Sequence, residues 1–571
     1  MQKKGKRMKK ILALFMVGFI FCLMANAKDK NFKGSSSVEI LSNGAKLLIL
    51  KGTHEERGYA HGFLLAEDIM NLYKGYFIKT ICKNKYKKYK KYKKYFNDKF
   101  QVASAYTAEA KGIISGMKEA GVDMICTIHK GPMGMFTKKF ELSYIDILMG
   151  TAIAEFVKLD KMKLGCSSAT RSSTPTSSPE DFENRLGGVT IRLLDWPPSK
   201  ALLDSHVMIV NIPAETDEQP WISWTFSGFI GCLSGVNNEG VAVFYNEEFI
   251  SESPSNLAKN KKFTPIHLIT RSAIESDKCT RIKYVESEIQ NESRGIKSII
   301  MAVGKGANDS EEECVVIESD GTNYETRHTP KTPWKERSWL VATNHFRKVA
   351  NVPKDKRKID RFNSLTWNLN RNHPRKDNEE YFKDDIEILT RGPLETMLAS
   401  AGSESDTVQV LMYLPNRGLM LWKVKTDLKQ SIAGLRNKEE IYLYDNTVVF
   451  ELDSLMDGQL TPTTISSERF NLDANVKAKG SAEIAKTVLK ERLDIEKGKV
   501  DAHTYGVAAH TAATQGNELE LSSSKSCKAL TERMVHAAEK DLRSEYLSQK
   551  LWDNDIGGYQ KQQPQTTHNR L

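Results

Sequence analysis

The sequence predicts an α+β protein. Its helical and strand-like stretches fall into separate blocks instead of alternating, which argues for layered sheets and helices over βαβ units. Only one stretch, at the extreme N-terminus, is apolar enough to meet a membrane, so a polytopic membrane protein is excluded. The 571 residues allow two to four domains, or one large domain with appendages. A hydrophobic fraction of 40% supplies a sizeable core and rules out wholesale disorder. With 36 glycines and 17 prolines, a collagen-like or proline-rich fibre is excluded. Eight cysteines are too few for a disulfide scaffold at this length.

The chain opens with a lysine-rich decapeptide, an apolar run from Ile11 to Met24, and then Ala25-Asn26-Ala27. This is the order of a cleavable signal peptide over residues 1–27, with a core shorter than the roughly 20 residues of a membrane span. The expected location is secreted or extracytoplasmic, with an uncleaved membrane anchor as the alternative. Seven cysteines remain beyond residue 27, an odd number, so at least one thiol is unpaired in the monomer.

Residues 45–51 read as a strand, and Gly58–Phe77 carries apolar residues at helical spacing. Further helices are expected at Thr107–Ala120 and Ile145–Lys158. After residue 165 the pattern turns to strands at Gly187–Leu194, Val207–Ile212, Trp221–Phe226 and Val241–Tyr245. Residues 264–289 are helical again. Strands follow at Ile299–Val303, Glu313–Glu318, Leu340–Asn344, Val408–Tyr413 and Leu419–Val424. A polar loop occupies 172–185. Beyond about residue 456 the chain is polar, with helical stretches at 482–495 and 528–552. The division is therefore 28–165, a mainly helical N-terminal segment; 166–455, a strand-rich core; and 456–571, a partly helical extension.

The formal net charge of +11 is local. Six Lys/Arg without acids lie in residues 1–27, and eight lysines without acids lie between Lys83 and Lys94, so the remainder is slightly acidic. No general basic field for nucleic acid exists, and no nucleic-acid partner is expected. The lysine run carries Tyr86, Tyr89, Tyr92 and Tyr95 at spacing three. It reads either as a solvated inserted helix or coil, or as a surface arm for an anionic lipid or glycan. His503 and His510 lack partners at metal spacing, and Val303-Gly304-Lys305-Gly306 lacks the P-loop pattern. No metal and no cofactor are expected.

Four segments carry chemistry: Gly165-Cys166-Ser167-Ser168; the strand Ile191-Arg192-Leu193-Leu194-Asp195-Trp196; the glycine-rich Gly228–Asn246; and Ala342-Thr343-Asn344-His345. Taken singly, each has an ordinary reading. Cys166 is then a small buried residue, Arg192 an ion-pair partner, Asp195 a strand-end cap before Pro197-Pro198, and Asn344 a turn former. Cys232 reads as packing, and His61 as a hydrogen-bonded residue at a helix start.

In this order and spacing the segments resemble the autoproteolytic acyltransferases and hydrolases related to isopenicillin N acyltransferase, within the N-terminal-nucleophile hydrolases that include choloylglycine hydrolases. The resemblance begins at Gly52-Thr53-His54-Glu55-Glu56-Arg57-Gly58-Tyr59-Ala60-His61-Gly62. It takes in Pro265-Ile266-His267-Leu268 and Arg271–Ser276, and it spans about residues 45–450 with gaps. It implies a four-layer αββα sandwich and self-cleavage between Gly165 and Cys166, with the fragments staying associated. It also implies an acyl-thioester at Cys166 during attack on a small linear acyl-amide, the acyl group passing to water or an amine.

Under that resemblance Cys166 is the nucleophile and its freed α-amine the base. An α-amine has a pKa near ~7.7–8.0, against about 8.5 for a free thiol. Arg192 favours the thiolate, Asp195 orients the amine or thiol, Asn344 donates to the oxyanion, and Asn246 lines the substrate pocket. Arg192 and Asp195 lie three apart on one strand, so regular pleating puts them on opposite faces. Several members of that family carry an arginine near a late strand, shortly after a serine; the corresponding Ser403-Glu404-Ser405-Asp406-Thr407 has none. The alternatives are a phospholipase B-like lipid hydrolase and a non-catalytic secreted binding protein on a decayed version of the fold.

Overall fold

The computed structural model describes residues 32–457 except 132–135, 161–163, 172–187, 249–261, 292–297, 305–313, 320–322, 329–338, 349–355, 372–393, 395, 399, 402–405, 416–417 and 433–446. The leader, the 172–185 loop, Ser403–Ser405, the expected helices at 482–495 and 528–552, His503 and His510 all lie outside the described residues.

The larger sheet has nine strands in the order β1 (Ser37–Ile40), β2 (Lys46–Gly52), β7 (His206–Pro213), β8 (Trp221–Phe226), β9 (Ser234–Asn237), β10 (Ala242–Glu247), β11 (Ser298–Val303), β12 (Cys314–Ser319) and β13 (Tyr324–His328). The second has six, in the order β14 (Leu340–Ala342), β5 (Gly165–Arg171), β6 (Val189–Asp195), β15 (Thr407–Leu414), β16 (Leu419–Val424) and β17 (Thr447–Glu451). A separate hairpin joins β3 (Ile125–Lys130) to β4 (Phe136–Glu141). Pairing is antiparallel throughout, apart from the parallel β2–β7 ladder that ties the N-terminal segment into the larger sheet.

Three apolar clusters define the layers. Met208, Trp224, Phe244 and Met301 of the larger sheet meet Leu411, Met420, Trp422 and Phe450 of the smaller one between the two sheets. The opposite face of the larger sheet, with Leu48, Ile209, Val243 and Ile300, packs on the N-terminal helices and on Ile266–Glu275. The opposite face of the smaller sheet, with Val189, Ile191, Val410 and Met412, packs on Leu365 and Leu369 of the Lys356–Arg371 helix and on Leu394, Met397 and Leu398. The chain is thus a four-layer α/β/β/α sandwich, as the resemblance implies. Strands buried on both faces explain why β15, Thr-Val-Gln-Val-Leu-Met-Tyr-Leu, reads as a nearly continuous apolar run.

The helical layer starts at a capping box in which the Thr53 hydroxyl accepts the Glu56 N–H and Glu56 accepts the Thr53 N–H. The His54–Leu64 helix crosses Ser104–Ala120 at very close range. A Cβ on Gly58 would sit 2.1 Å from the Glu109 carbonyl oxygen, and one on Gly116 2.0 Å from that of Tyr59. Glycines spaced four apart on both helices, 58/62 and 112/116, let the backbones touch. The long helix expected over Gly58–Phe77 breaks at Leu65, resumes at Ala66–Leu72 and ends as a π-helical stretch, Tyr73–Ile81.

The lysine run forms the Tyr86–Lys99 helix, and its spacing-three tyrosines are not solvated. Tyr89, Tyr92 and Phe96 are buried in the core, with Tyr92 stacked on Phe156 at 4.8 Å. The expectation of a solvated insertion is corrected here: the stripe of aromatics is the helix's buried face. Tyr89 and Lys93 both bind the buried Asp146, at 2.7 and 3.2 Å.

Candidate active site

Cys166 stands at the start of β5, between β6 and β14. The β14 register pairs Ala342 with Ser168; continuing it past the strand end carries Asn344 to Cys166. The Asn344 Oδ1 accepts the backbone N–H of Cys166 at 3.2 Å. Its Nδ2 donates to the Glu247 carbonyl at 2.5 Å.

On the other side β6 pairs Ser168 with Arg192, which places the guanidinium on the same face as the Cys166 thiol. Arg192 Nη2 donates to Cys166 Sγ at 3.5 Å and to the Tyr245 carbonyl at 2.7 Å. Asn246, next along β10, accepts from Ser168 Oγ at 3.1 Å across the gap between the sheets. Cys166 is 1% exposed and Arg192 is equally buried. Burial pushes the thiol up to about 11; Arg192 and a backbone hydrogen bond from Glu247 act against it.

Asp195 points the other way, as the strand period dictates. Its Oδ2 accepts from Arg361 of the Lys356–Arg371 helix at 2.7 Å, and its Oδ1 accepts from Thr407 Oγ1 at 2.6 Å. Opposite it, β15 shifts register between Thr407 and Gln409. Asp195 pairs directly with Gly165, and a Cβ on Gly165 would lie 2.9 Å from the Asp195 Cβ and 3.1 Å from its Oδ2. The carboxylate therefore flanks the Gly165 side of the Gly165–Cys166 bond, and the guanidinium flanks the thiol side.

The structure thus brings Gly165, Cys166, Arg192, Asp195 and Asn344 around one peptide bond, with Asn246 reaching Ser168 from the facing sheet. Sequence reasoning missed Arg361, which reaches Asp195 from 166 residues further along the chain. An arginine therefore does meet the site from a late segment, although the stretch ending at Thr407 has none. It also missed the Tyr245 carbonyl and Glu247, because backbone groups carry no residue signature.

Of the remaining residues singled out, His61 is buried and accepts the Gly228 N–H at 2.9 Å, with burial pushing it down to about 4. Cys232 is fully buried, and burial raises its thiol well above the usual range.

The motif around His54 builds a second buried cluster. His54 binds Glu109 through Nδ1 at 2.7 Å and Glu218 through Nε2 at 2.5 Å. Arg271 binds Glu109 at 2.7 Å and Glu275 at 2.6 Å, and Arg57 binds Glu218 at 2.7 Å. Burial alone would lower the His54 pKa, but the two carboxylates push it up to about 9. His54, Glu215 and Glu218 are close enough to hold a cation. Here the imidazolium and Arg57 already supply the positive charge those glutamates face.

No protein-family model matches the chain, and no curated protein matches its sequence. Among solved structures it is similar to the Caenorhabditis elegans ortholog of N-acylethanolamine-hydrolyzing acid amidase, at 15% identity over 47% of this chain and 98% of that one, with a TM-score of 0.32. It is also similar to a mutant conjugated bile acid hydrolase from Clostridium perfringens, at 13% identity over 48% of this chain and 94% of that one, TM-score 0.28. Penicillin V acylase from Agrobacterium tumefaciens follows at 10% identity over 45% of this chain and 84% of that one, TM-score 0.27. Likenesses this distant carry no reading of activity, which rests on the site itself.

Proposed function

We propose that this chain is a cysteine N-terminal-nucleophile amidohydrolase that first cuts itself between Gly165 and Cys166. The observation that carries the reading is that one residue, directly after a glycine, has its thiol held by Arg192 and its backbone nitrogen held by Asn344. A structural cysteine needs neither contact.

In the self-cleavage step Cys166 Sγ attacks the Gly165 carbonyl carbon. The thiol proton passes to the departing Cys166 nitrogen, and a thioester replaces the peptide bond. Water then attacks the thioester, freeing the Gly165 carboxylate and restoring the thiol. The released α-amine serves as base in later turnovers. It takes the thiol proton, the thiolate forms an acyl-thioester with a linear amide, and the proton goes to the leaving amine. Transfer of the acyl group to water completes hydrolysis; transfer to an amine would make the enzyme an acyltransferase.

Asn344 Oδ1 is placed to keep hold of the nitrogen as it changes from amide to amine. For its NH₂ group to serve an oxyanion, the bond to the Glu247 carbonyl must be exchanged. After the cut, the β2–β7 ladder and the His54–Glu109–Arg271 cluster span both pieces and keep them together. Cys166 is closed off in the uncut chain, so cleavage precedes turnover.

The test is the mass of the purified protein under denaturing conditions. Two fragments meeting at 165/166 are expected, and a single chain for Cys166→Ala. A wild-type chain that stays whole after folding sinks the reading.

A further inference from the structure

The Tyr86–Lys99 helix is two-sided. Tyr92 is fully buried and Tyr89 is 4% exposed, which clamps the helix flat on the core. Its other side turns Lys87 and Lys90 outward, and Lys83 and Lys85 are exposed just before it. None of these four lysines makes an ion pair among the described residues.

The β3–β4 hairpin lies against the same helix. Lys85 bridges His129, the Asn84 carbonyl accepts the His129 N–H at 3.2 Å, and the Tyr89 ring stacks on Phe140 at 4.5 Å. The hairpin adds exposed Lys130 and Lys138 on one face and Lys139 on the other, also without ion pairs among the described residues. It also carries Phe136, 64% exposed and directly paired with Lys130. Of the acids nearby, Asp146 is engaged by Lys93, Asp160 by Lys88 and Lys91, Asp98 by Lys94 and Glu141 by Lys118, while Asp123, at the hairpin end away from Phe136, accepts the Ile125 N–H.

Unpaired lysines on a rigid face repel one another unless a polyanion covers them. A soluble polyanion would use the charge alone. A lipid interface also uses an exposed aromatic ring set among the lysines, because the ring enters the headgroup–acyl boundary while the ammonium groups meet phosphates. We propose that the outer side of this helix and the β3–β4 hairpin dock the protein on an anionic lipid bilayer, with Phe136 in the interfacial zone. The docking face is independent of the chemistry at Cys166.

Excising Lys83–Tyr95 would take Tyr89 and Tyr92 out of the core, so the face is tested by substitution in the full chain. Flotation is measured with vesicles of phosphatidylcholine alone or with about one-third phosphatidylserine, at low and at high salt. The wild type should float with the anionic vesicles at low salt only. Lys87→Gln, Lys90→Gln, Lys130→Gln and Lys138→Gln together should lower the apparent affinity by roughly 100-fold or more with an unchanged thermal midpoint. Phe136→Ser should weaken it about tenfold and leave the salt dependence intact. Lys278→Gln with Lys429→Gln, exposed elsewhere, should change nothing. Undiminished flotation of the fourfold variant overturns the proposal. So does a wild type that is retained by heparin but never by anionic vesicles.

Discussion

The Asn344 side-chain oxygen accepts the backbone N–H of Cys166 at 3.2 Å, although 178 residues separate them. That N–H belongs to the Gly165–Cys166 peptide bond, the bond proposed to break. Asn344 is therefore set on the leaving nitrogen of the self-cleavage step. In protein already confirmed as cleaved, Asn344→Ala is expected to lower kcat by roughly 10²–10³ with KM little changed, because an oxyanion exists only in the tetrahedral state. Steady-state kinetics on one acyl-amide check this; a rise in KM alone would make Asn344 a binding contact.

Self-cleavage should speed up with pH. Burial raises the Cys166 thiol to about 11, so the thiolate fraction grows tenfold per pH unit through the neutral range. The logarithm of the cleavage rate in refolding protein should rise with a slope near one between about pH 6 and pH 9. Arg192→Gln removes the charge that opposes burial and should slow cleavage at every pH in that range. A flat profile would show that the thiol is not the titrating nucleophile.

Gly165→Ala tests the other side of the bond. The added methyl would meet the Asp195 Cβ at 2.9 Å, so either β5 or the carboxylate must shift. Cleavage should fall about tenfold or more while the chain still folds, measured by gel time course beside thermal melting. Asp195→Asn and Arg361→Gln should each slow cleavage, and the double variant should be no slower than the worse single one, since the two side chains share one contact. Full additivity would separate Arg361 from the site.

The His54 cluster predicts a pH-dependent stability. The folded pKa of about 9 lies above the ordinary 6.5, so the stabilisation is complete below about pH 6.5 and is lost as the pH rises through 9. The loss should be on the order of 3 kcal/mol, read from urea midpoints at the two ends of that window. His54→Ala removes the cation shared by the buried Glu109 and the half-buried Glu218, which keep Arg271 and Arg57, and should cost about 3 kcal/mol. A stability curve for His54→Ala that falls with pH as the wild type's does would place the titration elsewhere.

The sequence alone determined the fold class and most strand positions of the interior, though neither that of β5, which carries Cys166, nor that of β17. Strands such as Leu419–Val424 and Trp221–Phe226 are buried on both faces, and their apolar runs show it in any context. It also showed that Arg192 and Asp195 must face opposite sides, since the strand period is two. The short strands β1, β9 and β13 and the β3–β4 hairpin escaped it. They are brief, glycine-containing or half-exposed, so they carry little periodic signal. The lysine helix was misjudged because a spacing of three in tyrosine does not say whether the core or water receives that face.

Only the tertiary structure decided which groups meet at Cys166. Arg361 on Asp195, Glu247 under Asn344 and the Tyr245 carbonyl on Arg192 are all long-range neighbours. Such contacts are created by sheet register and by the closure of one layer on another. A residue's type and its local spacing hold no record of them, because the strands that bring them together are paired by a core assembled from the whole chain.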